Sequence, residues 1–198
     1  EVEQCGNGAR CVTRFVRDRG LTTKTHITLE TSSRQIDCEL EKDGNITVNM
    51  GAPRLEPDHI PFIAEQSQIT YELAVPATIN QCKNIEQVCI SAINVGNPHA
   101  VLAVDDVSSA PVAKLGPLIE RHSRFPERVN VNFMQILSRD EIALRVYERG
   151  VGETLACGTA ACASVVAGRL IGLLDESVTV SLPGGNLLIR WAGNESDI

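Results

Sequence analysis

Residues 5–11 read CGNGARC, and residues 157–163 read CGTAACA. In both, a cysteine is followed by a glycine and a small polar residue, and a helical pattern opens behind them. Cys5 precedes Gly20 by the same interval that separates Cys157 from Gly172, and each of these glycines is followed by a leucine, Leu21 and Leu173. Arg17 and Arg169 share an offset, as do Ala9 and Ala161. After each helical segment comes a strand-like run (27–31 and 178–182), a tight turn and a second strand. Order and spacing together read as an old internal duplication. They predict two copies of one strand–loop–helix unit set facing each other across a cleft.

The rest of the chain organises around these copies. The segment Gly8–Arg19 predicts a helix with Ala9, Val12, Phe15 and Val16 on one face, stopped by Gly20. HITLET (26–31) and RQIDCEL (34–40) predict strands joined at Ser32–Ser33, and the turn DGN leads into ITVNM (46–50). GAPRLEPDHIP, Gly51–Pro61, carries three prolines and suits neither an ordinary helix nor a central strand. It marks a domain boundary, giving domains 1–50 and 51–198. Beyond it, strands are predicted in 69–75, 86–95, 99–106, 129–137 and 142–148. A short helix in 108–122 is predicted to be capped by Ser108 or Ser109, with Pro111 in its first turn.

Composition narrows the function. The chain has 198 residues, 43% hydrophobic and 22% charged, enough for a real core. A net charge of −7 without a basic patch argues against nucleic-acid binding. No apolar run has the length of a membrane span, and the residues given show no signal-peptide pattern. The seven cysteines are an odd number, none in a CxxC pair, and no Cys/His cluster has zinc spacing. A disulfide framework and a metal site are thus unexpected, and the expected location is a reducing cytoplasm. Glu1 stands where a Met is usual, and the sequence closes on GNESDI soon after a predicted strand. Both ends are expected to be cut from a longer protein.

The doubled motif carries chemistry. The first turn of a helix holds unpaired N–H groups and a partial positive charge, which predict a lowered pKa for a thiol placed there and a seat for a carboxylate. Gly6 and Gly158 leave the backbone open to a ligand. Two such thiols on opposite sides of one carboxylate-bearing carbon form a two-base system. One takes a proton from one face and the other returns a proton to the opposite face. Cysteine near a helix start is also an ordinary small core residue; recurrence at one offset is what favours chemistry at Cys5 and Cys157. Cys11, Cys38, Cys82, Cys89 and Cys162 lack that doubled context and are read as packing residues.

With CGNGARC and ACGTAACA, the blocks GNPHAV (96–101), FPERVNV (125–131) and YERGVGET (147–154) resemble the signature blocks of the diaminopimelate epimerase family, in that family's order over nearly the whole chain. The resemblance implies an α/β (α+β) fold of two pseudo-symmetric domains. Each is a curved, mostly antiparallel sheet around a central helix, with the active site between them. It implies interconversion of LL- and meso-2,6-diaminopimelate, in lysine and peptidoglycan precursor synthesis, by an enzyme without pyridoxal phosphate or metal that is usually a homodimer. By position it implies Cys5 and Cys157 as the acid/base pair and Gly6, Asn7, Gly158 and Thr159 around the reacting end of the substrate. Asn97, Asn130, Glu148 and Arg149 would hold the distal end, and His99 and Glu148 would tune the thiols. The fork of Arg149 suits a distal carboxylate and Glu148 suits a distal ammonium. The sequence departs from the family pattern at Ala160 and Asn132, where glycine is common. The family carries further strands before the position of Glu1 and after that of Ile198, so the stretch 51–198 is expected to be a second domain without the final strand that returns to the first. Alternatives are a proline-type racemase or other cofactor-free isomerase on the same scaffold, and an inactive truncated binding fragment. A cysteine phosphatase fits less well, since Cys5 to Arg10 is one residue short of that loop and Gln4 replaces its usual His.

Overall fold

A computed structural model describes residues 6–31, 35–76 and 87–198. The duplicated unit is visible in its helices. α1 spans Gly6–Asp18 and α3 spans Gly158–Leu170, 13 residues each. Both end in one capping motif. Gly20 N–H bonds Arg17 O and Leu21 N–H bonds Val16 O; Gly172 N–H bonds Arg169 O and Leu173 N–H bonds Gly168 O. Gly20 and Gly172 sit at φ +64° and +78°, a left-handed conformation that glycine adopts without a side-chain penalty. A pair of antiparallel strands follows each helix: β1 (His26–Glu30) with β2 (Gln35–Leu40), and β10 (Ser177–Leu182) with β11 (Gly185–Arg190).

Among the described residues there are two sheets. The smaller is β1–β2–β3, with β3 at Ile46–Val48. The larger also contains β4 (Tyr71–Ala74), β5 (Gln87–Asn94), β6 (Pro98–Ala103), β7 (Asn130–Ser138), β8 (Glu141–Glu148) and β9 (Gly152–Thr154). Its order is β11-β10-β8-β7-β6-β5-β4, and β9 pairs with β8. Pairing is mostly antiparallel, with β6/β7 and β8/β10 parallel. The strand β9 has no counterpart in the sequence-based expectation; at three residues it is too short to show a period.

Both faces of the larger sheet are covered. His99 and Val101 on β6 and Asn130, Asn132 and Met134 on β7 alternate with Ala100, Leu102, Val131 and Phe133, as the two-residue strand period requires. Met134 and Val101 join the core around α3, whereas Val131 and Phe133 join a second core around α2 (Val112–Glu120). α3 is buried on every side from Gly158 to Gly168, which its run of Ala, Cys, Val and Gly permits. Ala9 of α1, Ile36, Cys38 and Val48 of the small sheet, and Met50 just beyond it belong to the same apolar cluster as α3. Ile198 exchanges backbone bonds with Met50 and Gly51.

Three local expectations are corrected. The inward face of α1 is Gly6, Ala9 and Thr13, while Val12 and Phe15 are 45% and 54% exposed. A three-stranded sheet and the start of α3 cover one side of this helix, and its small residues allow the closest approach there. α2 has Pro111 at its N-cap position with no side-chain cap. The hydroxyls of Ser108 and Ser109 bond Asp106 instead. Of the cysteines read as packing residues, Cys38 and Cys162 are buried but Cys11 and Cys89 are exposed; Cys82 lies outside the described residues.

Candidate active site

The two helix starts meet. A methyl placed on Gly158 would lie 3.7 Å from the Cα of Gly6, 3.8 Å from Asn7 Oδ1 and 3.9 Å from Arg10 Nη1. Arg10 Nη1 donates to Asn7 Oδ1 at 3.2 Å. The first turns of both helices therefore converge beside the Arg10 guanidinium. Helix starts and guanidinium together gather positive potential suited to a substrate carboxylate. Among the described residues no group of three or more His, Cys, Asp or Glu side chains is gathered to hold a metal. Among the described residues no helix is long and apolar enough to cross a membrane.

Cys157 is the N-cap residue of α3, extended at φ −140° and ψ 114°, and 7% exposed. Its Sγ lies 3.3 Å from Thr159 Oγ1. Contrary to the expectation from the helix start alone, burial pushes this thiol up to about 11. Thr159 and the Ala160 N–H pull it down, and the Glu148 carboxylate, through its charge and a hydrogen bond to the protonated thiol, raises it again. Losing water costs a thiolate more than the helix start returns. Cys162, one turn further into α3, is pushed to about 12, chiefly by burial. Cys5 lies outside the described residues; Gly6 beside it is buried against Met50.

The other expected residues form a second group around the ends of β6, β7 and β8. His99 is fully buried, in register with Asn130 on the parallel neighbour β7. Its ring nitrogens contact two amides, Nδ1 with Asn132 Oδ1 at 3.2 Å and Nε2 with Asn97 Oδ1 at 3.0 Å. Burial, together with the nearby Arg149 charge and against the Asn132 hydrogen bond, holds His99 down at about 4, so the ring is neutral. The side-chain contacts of His99 are with these two asparagines, and the groups that shift Cys157 are Thr159, Ala160 and Glu148. Asn130 donates to Pro98 O at 2.9 Å and accepts from the Arg149 N–H at 2.9 Å. Its amide ties β7 to both neighbouring strand ends and retains one N–H and one lone pair. Glu148 accepts from Thr154 Oγ1 on β9, and Arg149 Nη1 donates to Glu127 O at 3.2 Å.

Two functional-site residues have no strong sequence signal. Glu120, 1% exposed at the end of α2, accepts the N–H of Gly150 at 2.8 Å and so fixes the turn carrying Glu148 and Arg149. A glutamate closing an apolar helix reads as solvated until its burial is seen. Asn132 links His99 to α3; the sequence marks it only as a departure from the family's glycine and, by the strand period, as sharing the face of Asn130.

This α+β arrangement defines a class. It is shared with a hydroxyproline epimerase from Agrobacterium vitis at TM-score 0.69 and 16% identity, over 96% of this chain and 59% of that one. It is shared also with a PhzF-family phenazine biosynthesis protein of Bacillus anthracis at TM-score 0.62 and 15% identity, over 95% and 67%. At such identities the likeness is one of fold. The family is shown by sequence: the profile "Diaminopimelate epimerase" matches residues 1–56 and 91–198. Diaminopimelate epimerases of Thioalkalivibrio sulfidiphilus and Nitrosospira multiformis are 60% and 53% identical over 98% and 100% of this chain, which spans 67% and 69% of their lengths. The chain belongs to the diaminopimelate epimerase family, a family of isomerases.

Proposed function

We propose that the chain epimerises diaminopimelate between its LL and meso forms by exchanging protons at one α-carbon between two cysteine sulfurs, Cys5 and Cys157. The observation that carries this reading is the close approach of the two helix starts that these cysteines precede. A substrate α-carboxylate bound over both starts has its α-carbon within reach of each motif. One sulfur, as thiolate, removes the α-proton. The electron pair spreads into the carboxylate, which the helix N–H groups and Gly6, Asn7, Gly158 and Thr159 hold. The opposite thiol then gives its proton to the other face. Preaimed donors of this kind contribute about 3–4 kcal/mol each to such a transition state.

Burial and Glu148 hold the Cys157 pKa up, which favours Cys157 as the first proton donor and Cys5 as the first base. After one turnover the protonation states are exchanged, so the roles reverse with the direction of reaction. The distal ammonium and carboxylate go to Glu148, Asn97, Asn130 and Arg149, on the second of two domains, 1–50 and 51–198, with the site between them. The scheme needs no cofactor, and by family resemblance the working form is a cytoplasmic homodimer acting in lysine and peptidoglycan precursor synthesis.

The test is the fate of the α-hydrogen in D₂O with wild type, Cys5→Ala and Cys157→Ala. Wild type should epimerise with deuterium incorporation, and each variant should lose epimerisation. An epimerising Cys157→Ala enzyme would end the two-base reading. Turnover of proline without turnover of diaminopimelate would move the chain to a sister activity.

A further inference from the structure

The contacts of Asn132 fix more than its own position. Its Nδ2 lies 3.1 Å from Ala160 O, a backbone carbonyl that can only accept, and 3.2 Å from Ser164 Oγ. The amide nitrogen must therefore face α3, and its oxygen must face His99 Nδ1, at 3.2 Å. A carbonyl oxygen accepts, so His99 carries a proton on Nδ1. The ring is fully buried, and a second proton would place an unpaired cation there near Arg149. Nε2 is then a lone pair and cannot face the oxygen of Asn97 at 3.0 Å as an acceptor. Oxygen and nitrogen of an amide differ in hydrogen-bonding role but barely in shape. The Asn97 amide is thus turned so that its NH₂ donates to Nε2, which sets its carbonyl oxygen at the outer position.

We propose that Asn132 is a positioning residue: it holds His99 in the Nδ1–H form, and through it turns the carbonyl oxygen of Asn97 outward as an acceptor for the ammonium of the substrate. The relay runs from the first turn of α3, behind Cys157, to the turn before β6. It gives the binding end a polarity, since an outward carbonyl accepts from an ammonium and turns away a carboxylate. This rests on the reading above for the place of Asn97, but the tautomer of His99 does not.

Two measurements test it. In protein labelled with ¹⁵N-histidine, His99 is assigned among the four histidines by its loss in His99→Gln. Its long-range ¹H–¹⁵N pattern should show a protonated Nδ1 and a bare Nε2. Asn132→Gly, which removes the acceptor, should give a mixture of tautomers. A wild-type His99 protonated on Nε2 overturns the relay even if the variants fail to fold. The second measurement compares KM for diaminopimelate with the inhibition constant of 2-aminopimelate, which lacks one ammonium. Wild type should prefer diaminopimelate by roughly tenfold or more, the scale of a hydrogen bond to a charged group, and Asn132→Gly should lose most of that preference with a smaller change in kcat. An undiminished preference in folded Asn132→Gly refutes the role given to Asn97. A wild type that turns over no diaminopimelate but shows the Nδ1–H ring would instead count against the assigned substrate alone.

Discussion

At the scale of single residues, the site is governed by which charges are kept from water. Cys157 has a helix start that favours its thiolate and a buried position that opposes it, and burial wins. Alkylation of Cys157, followed by peptide mass mapping, should keep accelerating beyond pH 9; a plateau below that pH would contradict the burial argument. Glu148→Gln removes the neighbouring negative charge and should shift the onset of alkylation to lower pH. His99 shows the opposite sign. Its pKa is lowered from 6.5 to about 4 in the fold, so its stabilising contribution is present above pH 6.5 and lost as pH falls through about 4. The folded state binds this proton less tightly than the unfolded chain does. A shift of this size corresponds to a loss on the order of 3 kcal/mol. Urea melts of His99→Gln between pH 7 and 4 should show a correspondingly flatter acid limb than wild type.

Elements are held in place by close approaches and by buried polar contacts. α2 lies so near β8 that a methyl on Gly116 would come within 2.5 Å of the Tyr147 ring and 2.8 Å of its Cβ. Ring and Cβ cannot move independently of the strand, so Gly116→Ala should cost about 1–3 kcal/mol by overpacking. Its better helix propensity recovers only part of that. Chemical denaturation measures the balance, and a stabilised variant would show that α2 shifts freely. Glu120 ties the same helix to the Glu148–Arg149 turn through the Gly150 N–H. Glu120→Ala leaves that donor without its partner, at roughly 1–3 kcal/mol, and should raise KM more than it lowers kcat. Glu120→Gln, which keeps an acceptor, should restore much of the loss.

Over the whole molecule, one apolar cluster joins the small sheet, α1 and α3 to the inner face of the larger sheet. Met50 sits at this junction, its sulfur 3.4 Å from where a Gly6 side chain would begin. Met50→Ala should cost about 2–5 kcal/mol and loosen the helix starts together. Calorimetry on this variant and on wild type should show one transition each. Two resolved transitions would mean that the sheets unfold separately and that the shared cluster couples them weakly.

The helices, their glycine caps, most strands and the paired Cys-Gly starts were legible in the chain, because these depend on neighbours a few residues apart: periodicity, a left-handed glycine, a strand that alternates. Family membership was legible too, since it rests on the spacing of short blocks such as GNPHAV and YERGVGET. Tertiary structure alone decided the direction of the Cys157 shift, the outward turn of Val12 and Phe15, the burial of Glu120 and the bridge made by Asn132. Each of these depends on which distant segment removes water from a group or offers it a hydrogen bond, and no local pattern of residues encodes that.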